Sequence, residues 1–173
     1  RWSDALEAYD AVLALDPMRH SAWVNSGIAL SHLQRPSSAA KRYQRAQALE
    51  PTTMSAWINE GIAWVRAEEF EKALAPLRHV VERSAGEDRA KALIYLGQAW
   101  LGLGDRDQAE ASFLEAIALK PDSELARVGL ASLQKDPEEG LRLVDQVLRL
   151  HPSSSLAYAV QARFHVLVGA MAK

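Results

Sequence analysis

The stretch AWVNSGIAL occupies Ala22–Leu30, and AWINEGIAW occupies Ala56–Trp64, thirty-four residues later. Near-identity at a fixed interval is the mark of a repeated structural unit and is tested before any local reading. Aligned on the tryptophan, W-x-x-x-G-x-A recurs as Trp23, Gly27, Ala29; Trp57, Gly61, Ala63; and, with a softer first residue, Leu93, Gly97, Ala99. Two weaker copies are Arg127, Ala131, Leu133 and Tyr158, Ala162, Phe164.

A second apolar series opens twelve residues after each of the first three glycines: Ala39, Tyr43, Ala46; Ala73, Leu77, Val80; Ala109, Phe113, Ala116. Ala5, Tyr9, Val12 begins the chain as a headless copy, and Gly140, Val144, Val147 is a late one. Steps of four and three place such side chains on one helical face, so each unit reads as two amphipathic helices joined by a short turn. The small residue in the first helix admits a neighbour closely, and Tyr9, Tyr43 and Phe113 fill the gap to the next pair. Pro17, Pro51, Pro121 and Pro152 punctuate the units, with Ala85 in one such place, because proline cannot continue a helix but tolerates its start.

This pattern resembles the tetratricopeptide repeat along essentially the whole chain, and YLGQAWLGLGDRDQAEASFLEAIALKPDS, residues 95–123, matches it best. The resemblance implies an all-α fold, a right-handed α-solenoid of antiparallel helix pairs. It divides the array into a second helix of a truncated unit (1–17), four helix pairs (18–51, 52–87, 88–121 and 122–152) and the first helix of a further unit (153–173). Two extra residues near Glu87 and Asp88, and three missing between Ala131 and Gly140, break the register. Pro76 falls inside a predicted helix, where it removes one backbone hydrogen bond and should bend the rod.

Composition limits the partners. Of 173 residues 49% are apolar, enough to bury a core, and the net charge is −2, so no global basic field draws nucleic acid. No run reaches the roughly 18 uncharged apolar residues of a membrane span. Cysteine is absent, which excludes disulfides and leaves the compartment open between cytoplasm and bacterial periplasm. Arginine outnumbers lysine 14 to 6, a bias that fits a bacterial source, and the chain opening on Arg1 within a helical pattern reads as a segment of a longer protein.

No catalytic constellation, cofactor motif or metal set is legible. His20, His32, His79, His151 and His165 lack metal-ligand spacing, and no G-x-S-x-G elbow exists. GLGD, residues 102–105, reads as an interhelical turn rather than a phosphate loop, and Glu68, Glu69 and Glu71 as carboxylates at a helix start. Glu60 stands where the resembled family usually has Leu. It reads as solvent-exposed, with an ion pair to Arg42 or Arg45 as the buried alternative.

The resemblance also implies that first helices line a concave groove. One residue past each anchor run Val24, Ile28, Ser31; Ile58, Ile62, Val65; Ile94, Gln98, Leu101; and Val128, Ser132. An apolar stripe facing water calls for an occupant. Asn25 and Asn59 sit beside it as readers of peptide backbone, a short version of the asparagine ladder of O-linked N-acetylglucosamine transferases. Against the carboxylate clamp of chaperone-binding members, the matching places hold Val24, Ile28, Asn59, Lys91 and Tyr95; the paired cation is missing and that specificity is rejected. His32, Arg66 and Lys91 instead favour an apolar segment with some negative charge. The expected function is a non-catalytic scaffold binding a peptide or helix of another protein. The alternative is a substrate-selecting or assembly module of a larger enzyme or secretion machine. The terminal helices, with Leu156, Tyr158, Val160, Phe164, Val166, Leu167, Val168 and Met171 all round the last one, also predict self-association.

Overall fold

Helix follows helix with only short turns between them, because every apolar series in the sequence has a period near 3.6 and every break carries a proline, a glycine or a polar cluster. The computed structural model describes residues 1–171, and the Met171 side chain and residues 172–173 lie outside the description. Among the described residues there are ten α-helices and no strand: α1 (Trp2–Leu15), α2 (His20–His32), α3 (Pro36–Leu49), α4 (Met54–Arg66), α5 (Phe70–Arg83), α6 (Gly86–Gly102), α7 (Arg106–Leu119), α8 (Glu124–Ser132), α9 (Pro137–Leu150) and α10 (Ser155–Met171). Each packs on its chain neighbours, and α4 also meets α6, α6 meets α8 and α8 meets α10. That is a helical solenoid of pairs, in which each unit buries its apolar face against the adjacent ones. The register breaks appear as helix lengths: α6 has 17 residues and α8 only 9, against 13 in α2 and α4.

Turns within the first three pairs share one geometry, which the α8–α9 turn lacks. Arg35 N–H bonds Leu30 O at 2.9 Å and Gln34 N–H bonds Ser31 O at 3.2 Å, the paired closure of a Schellman motif. The same two bonds recur from Glu69 and Glu68 and from Asp105 and Gly104. The residue at the corner must be left-handed: Gln34 has φ 56°, Glu68 φ 58° and Gly104 φ 81°. GLGD is thus a helix-ending turn, and Asp105 caps α7 by accepting from Gln108 N–H at 3.1 Å.

Turns between pairs explain the anchor position. Trp23 and Trp57 donate their indole N–H to the carbonyls of Pro17 and Pro51, both at 2.8 Å. Arg127 Nε reaches Pro121 O at 2.6 Å and Tyr158 O–H reaches Pro152 O at 3.2 Å, again six residues back. The weak copies therefore keep a long side chain with a donor that reaches this carbonyl. Leu93 has no donor, and no proline precedes it; here Arg89 bonds Val81 O at 2.7 Å instead.

Small residues sit where large ones from the next helix land. A Cβ added at Gly27 would lie 2.6 Å from Tyr43 Cε1, and one at Gly97 2.7 Å from Phe113 Cε1. Phe113, fully buried, is also pressed against Gly129, so it joins α6 to α8. Pro76 is buried in α5, which runs without interruption over 14 residues. In α10, apolar character does run round the axis, but Phe164 is 1% exposed and packs on Gly140, while Leu156, Tyr158, Val166 and Leu167 are exposed. Phe164 therefore belongs to the core and not to an open face.

Candidate protein-binding groove

The first helices α2, α4 and α6, with α3 beside them, line one cavity of about 270 Å³. Ile28, Ser31 and His32 line it from α2, Asn59, Ile62 and Arg66 from α4, and Lys91 and Tyr95 from α6. Eight of the residues singled out from sequence thus meet around one space. A ninth lining residue is Tyr43 of α3, for which the sequence predicts only a spacer between pairs. Its ring fills the gap over Gly27, and burial pushes the hydroxyl's pKa up, opposed by the Ser31 side chain and the charge of Arg66.

The lining carries no acid. Arg66 and Lys91 are exposed, and neither enters an ion pair among the described residues. His32 is held by stacking on Trp2, ring centroids 3.8 Å apart. The lining therefore runs from buried or half-buried apolar side chains (Ile62, Ile28), through half-buried hydroxyl and amide groups (Ser31, Asn59), to exposed positive charge (Arg66, Lys91). Lys91 continues into a second crevice of about 520 Å³ that runs along α6 to the start of α8 and contains both signs of charge.

Other expected lining residues lie elsewhere. Ile58 is 2% exposed and Ile94 7%, so both are core. The cause is the approach of first helices to each other: Ile58 packs in one cluster with Ala92 and Leu96 of α6, and Ile94 with Ala126 of α8. Val128 is buried in the same way farther along. Val24, Asn25, Val65, Gln98, Leu101 and Ser132 are half-buried and outside the cavity lining. Part of the stripe read as waiting for a partner is the seam between adjacent units.

Tetratricopeptide repeat models match residues 1–52 and 29–88, and another matches 90–123. The chain belongs to the tetratricopeptide repeat family. Solved structures agree on the fold. MamA from Desulfovibrio magneticus RS-1 is 20% identical, with a TM-score of 0.77 over 89% of this chain and 88% of that one. A tetratricopeptide repeat protein from Parabacteroides merdae is 19% identical, with a TM-score of 0.81 over 97% of this chain and 67% of that one. YrrB, a tetratricopeptide protein with an unusual peptide-binding site, is 16% identical, with a TM-score of 0.66 over 95% and 85%. No curated protein matches the chain.

Tetratricopeptide arrays are protein-interaction scaffolds, and this one departs from the family pattern at Glu60. That residue is neither exposed nor paired with Arg42 or Arg45. It is 4% exposed, and its carboxylate accepts from Gln44 Nε2 at 2.7 Å, Gln47 Nε2 at 2.6 Å and Trp64 Nε1 at 2.9 Å. Arg42 instead pairs with Asp10 at 2.6 Å and lies over Trp23. Among the described residues no group of three or more His, Asp or Glu could hold a metal, and no helix is long and apolar enough to cross a membrane.

Proposed function

We propose that this chain is a non-catalytic scaffold that binds a peptide or helical segment of a partner protein in the α2–α4–α6 groove. The observation that carries this reading is the cavity itself: an apolar floor, the Asn59 amide, and Arg66 and Lys91 at the rim with no acid between them. An Asn side chain offers a donor and an acceptor, which matches a peptide backbone of any sequence. Rim cations without partners select a segment that carries a carboxylate beside its apolar residues. The peptide-binding site of YrrB, a protein of the same fold, supports a peptide as the occupant.

The test is selection of displayed random peptides on the whole chain, followed by affinity measurement with Arg66→Glu, Lys91→Glu and Asn59→Ala. Selected peptides should combine apolar residues with at least one acid. The double charge reversal should abolish binding without changing the melting temperature, because both side chains are exposed. Asn59→Ala should cost about 1 to 3 kcal/mol by leaving a backbone group unpaired. Peptides that bind wild type and the charge-reversed chain equally would place the site elsewhere.

A further inference from the structure

A third crevice, of about 540 Å³, opens between α3 and α5 over α4. Its floor is Trp57, Glu60 and Trp64, whereas Asn59, Ile62 and Arg66 of the same helix line the groove. At about 100° per residue these two sets lie on nearly opposite faces of α4. The crevice is therefore separate from the proposed peptide groove.

Its charge is unbalanced. Three neutral donors hold the Glu60 carboxylate, with Oε1 accepting two bonds and Oε2 one, which leaves acceptor capacity on Oε2. No cation lies within ion-pair distance of Glu60 among the described residues. Lys72 lines the crevice with its ammonium 4.9 Å from the Trp64 ring, but its charge is met by Glu69. His79 stacks on Trp57 with ring centroids 3.9 Å apart, and burial favours its neutral form. What remains is one buried negative charge beside Trp57, Trp64 and His79, at a position where the family usually has an apolar residue. Burying a carboxylate against neutral groups alone is costly, and a cation would offset that cost.

We propose that this crevice takes an arginine side chain of a partner protein, with Glu60 as its counter-charge. A guanidinium is planar, weakly hydrated and presents several donors, so it fits the open acceptor capacity of Glu60 beside the Trp57–His79 stack better than a compact ammonium does.

The test titrates the isotope-labelled chain with N-acetyl-arginine methylamide and follows the Trp64 indole N–H resonance, whose proton bonds Glu60 directly. A saturable shift is expected. The citrulline analogue, equal in shape but uncharged, should produce none, and the lysine analogue should bind more weakly. Glu60→Gln should weaken arginine binding about tenfold, the worth of one charge-assisted contact; Glu60→Leu should do the same and supplies the check if the amide rearranges its neighbours. Arg66→Glu, which disables the groove, should leave this titration unchanged, so failure of one site is distinguishable from failure of the other. The inference is overturned by the absence of a saturable shift, by an equal response to citrulline or lysine, or by full affinity in Glu60→Gln.

Discussion

The indole N–H of Trp57 donates to the backbone carbonyl of Pro51 at 2.8 Å, tying the start of α4 to the turn that precedes it. The same six-residue reach is made by Trp23, Arg127 and Tyr158 with three different donor groups. In these four units the anchor position therefore holds a long side chain with a donor in reach of that carbonyl, and only secondarily an aromatic. Arg127→Trp should keep stability within about 0.5 kcal/mol, while Arg127→Leu should lose about 1 kcal/mol with the bond. Urea unfolding with unchanged slope measures both, and equal losses would sink the donor argument.

Gly97 faces a harder limit. Alanine normally gains about 1 kcal/mol over glycine inside a helix. A Cβ here would stand 2.7 Å from the ring of Phe113, which is fully buried and also pressed against Gly129, so it cannot retreat. Overpacking costs about 1 to 3 kcal/mol and wins. Gly97→Ala should lower the melting temperature, and Gly97→Ala with Phe113→Leu should recover part of the loss by giving the methyl room.

The repeat made the helices, their order and the small-to-large contacts at Gly27, Gly61 and Gly97 legible, because period and spacing encode the angle at which a side chain leaves its helix. They do not encode how closely the next first helix approaches. Ile58 and Ile94 leave at an angle shared by groove and seam, and the contact of α4 with α6, and of α6 with α8, turned both into core. Tyr43 is legible only as a spacer, because one residue can serve as spacer and wall at once. Glu60 was misplaced for a different reason. A lone carboxylate reads as exposed, or if buried as paired with arginine, whereas Gln44 and Gln47, which in sequence resemble any exposed polar pair, supply the donors together with Trp64.

His79 makes stability pH-dependent. Its ring lies against Trp57 and its Nε2 is buried without a hydrogen-bond partner among the described residues. Burial lowers its pKa first, the Arg83 charge adds to this, and Glu82 opposes it. A depressed pKa means that the unfolded chain takes up the proton more readily. The contribution is therefore complete above the unfolded value, about 6.5, and is lost as the pH falls through the lower folded value. Melting temperatures at pH 7.5 and 5.5 should differ more in wild type than in His79→Phe, which keeps the stack and removes the proton. An unchanged difference would assign the acid sensitivity to other groups.

Glu68 occupies the left-handed corner between α4 and α5 at φ 58°, where the equivalent turn after α6 has Gly104 at φ 81°. A side chain in this region costs about 1 to 2 kcal/mol, and replacing it with glycine costs about 0.5 to 1 kcal/mol in unfolded-chain entropy. The first effect is the larger, and Glu68 is exposed and makes no side-chain hydrogen bond or ion pair among the described residues, so little else is lost. Glu68→Gly should therefore stabilise the array by about 0.5 to 1 kcal/mol, and Gly104→Glu should destabilise it by a similar amount. Both substitutions leave the buried surface unchanged, so the urea midpoint should move in opposite directions while the slope stays constant. Destabilisation by Glu68→Gly would show that the carboxylate contributes more at this turn than its backbone costs.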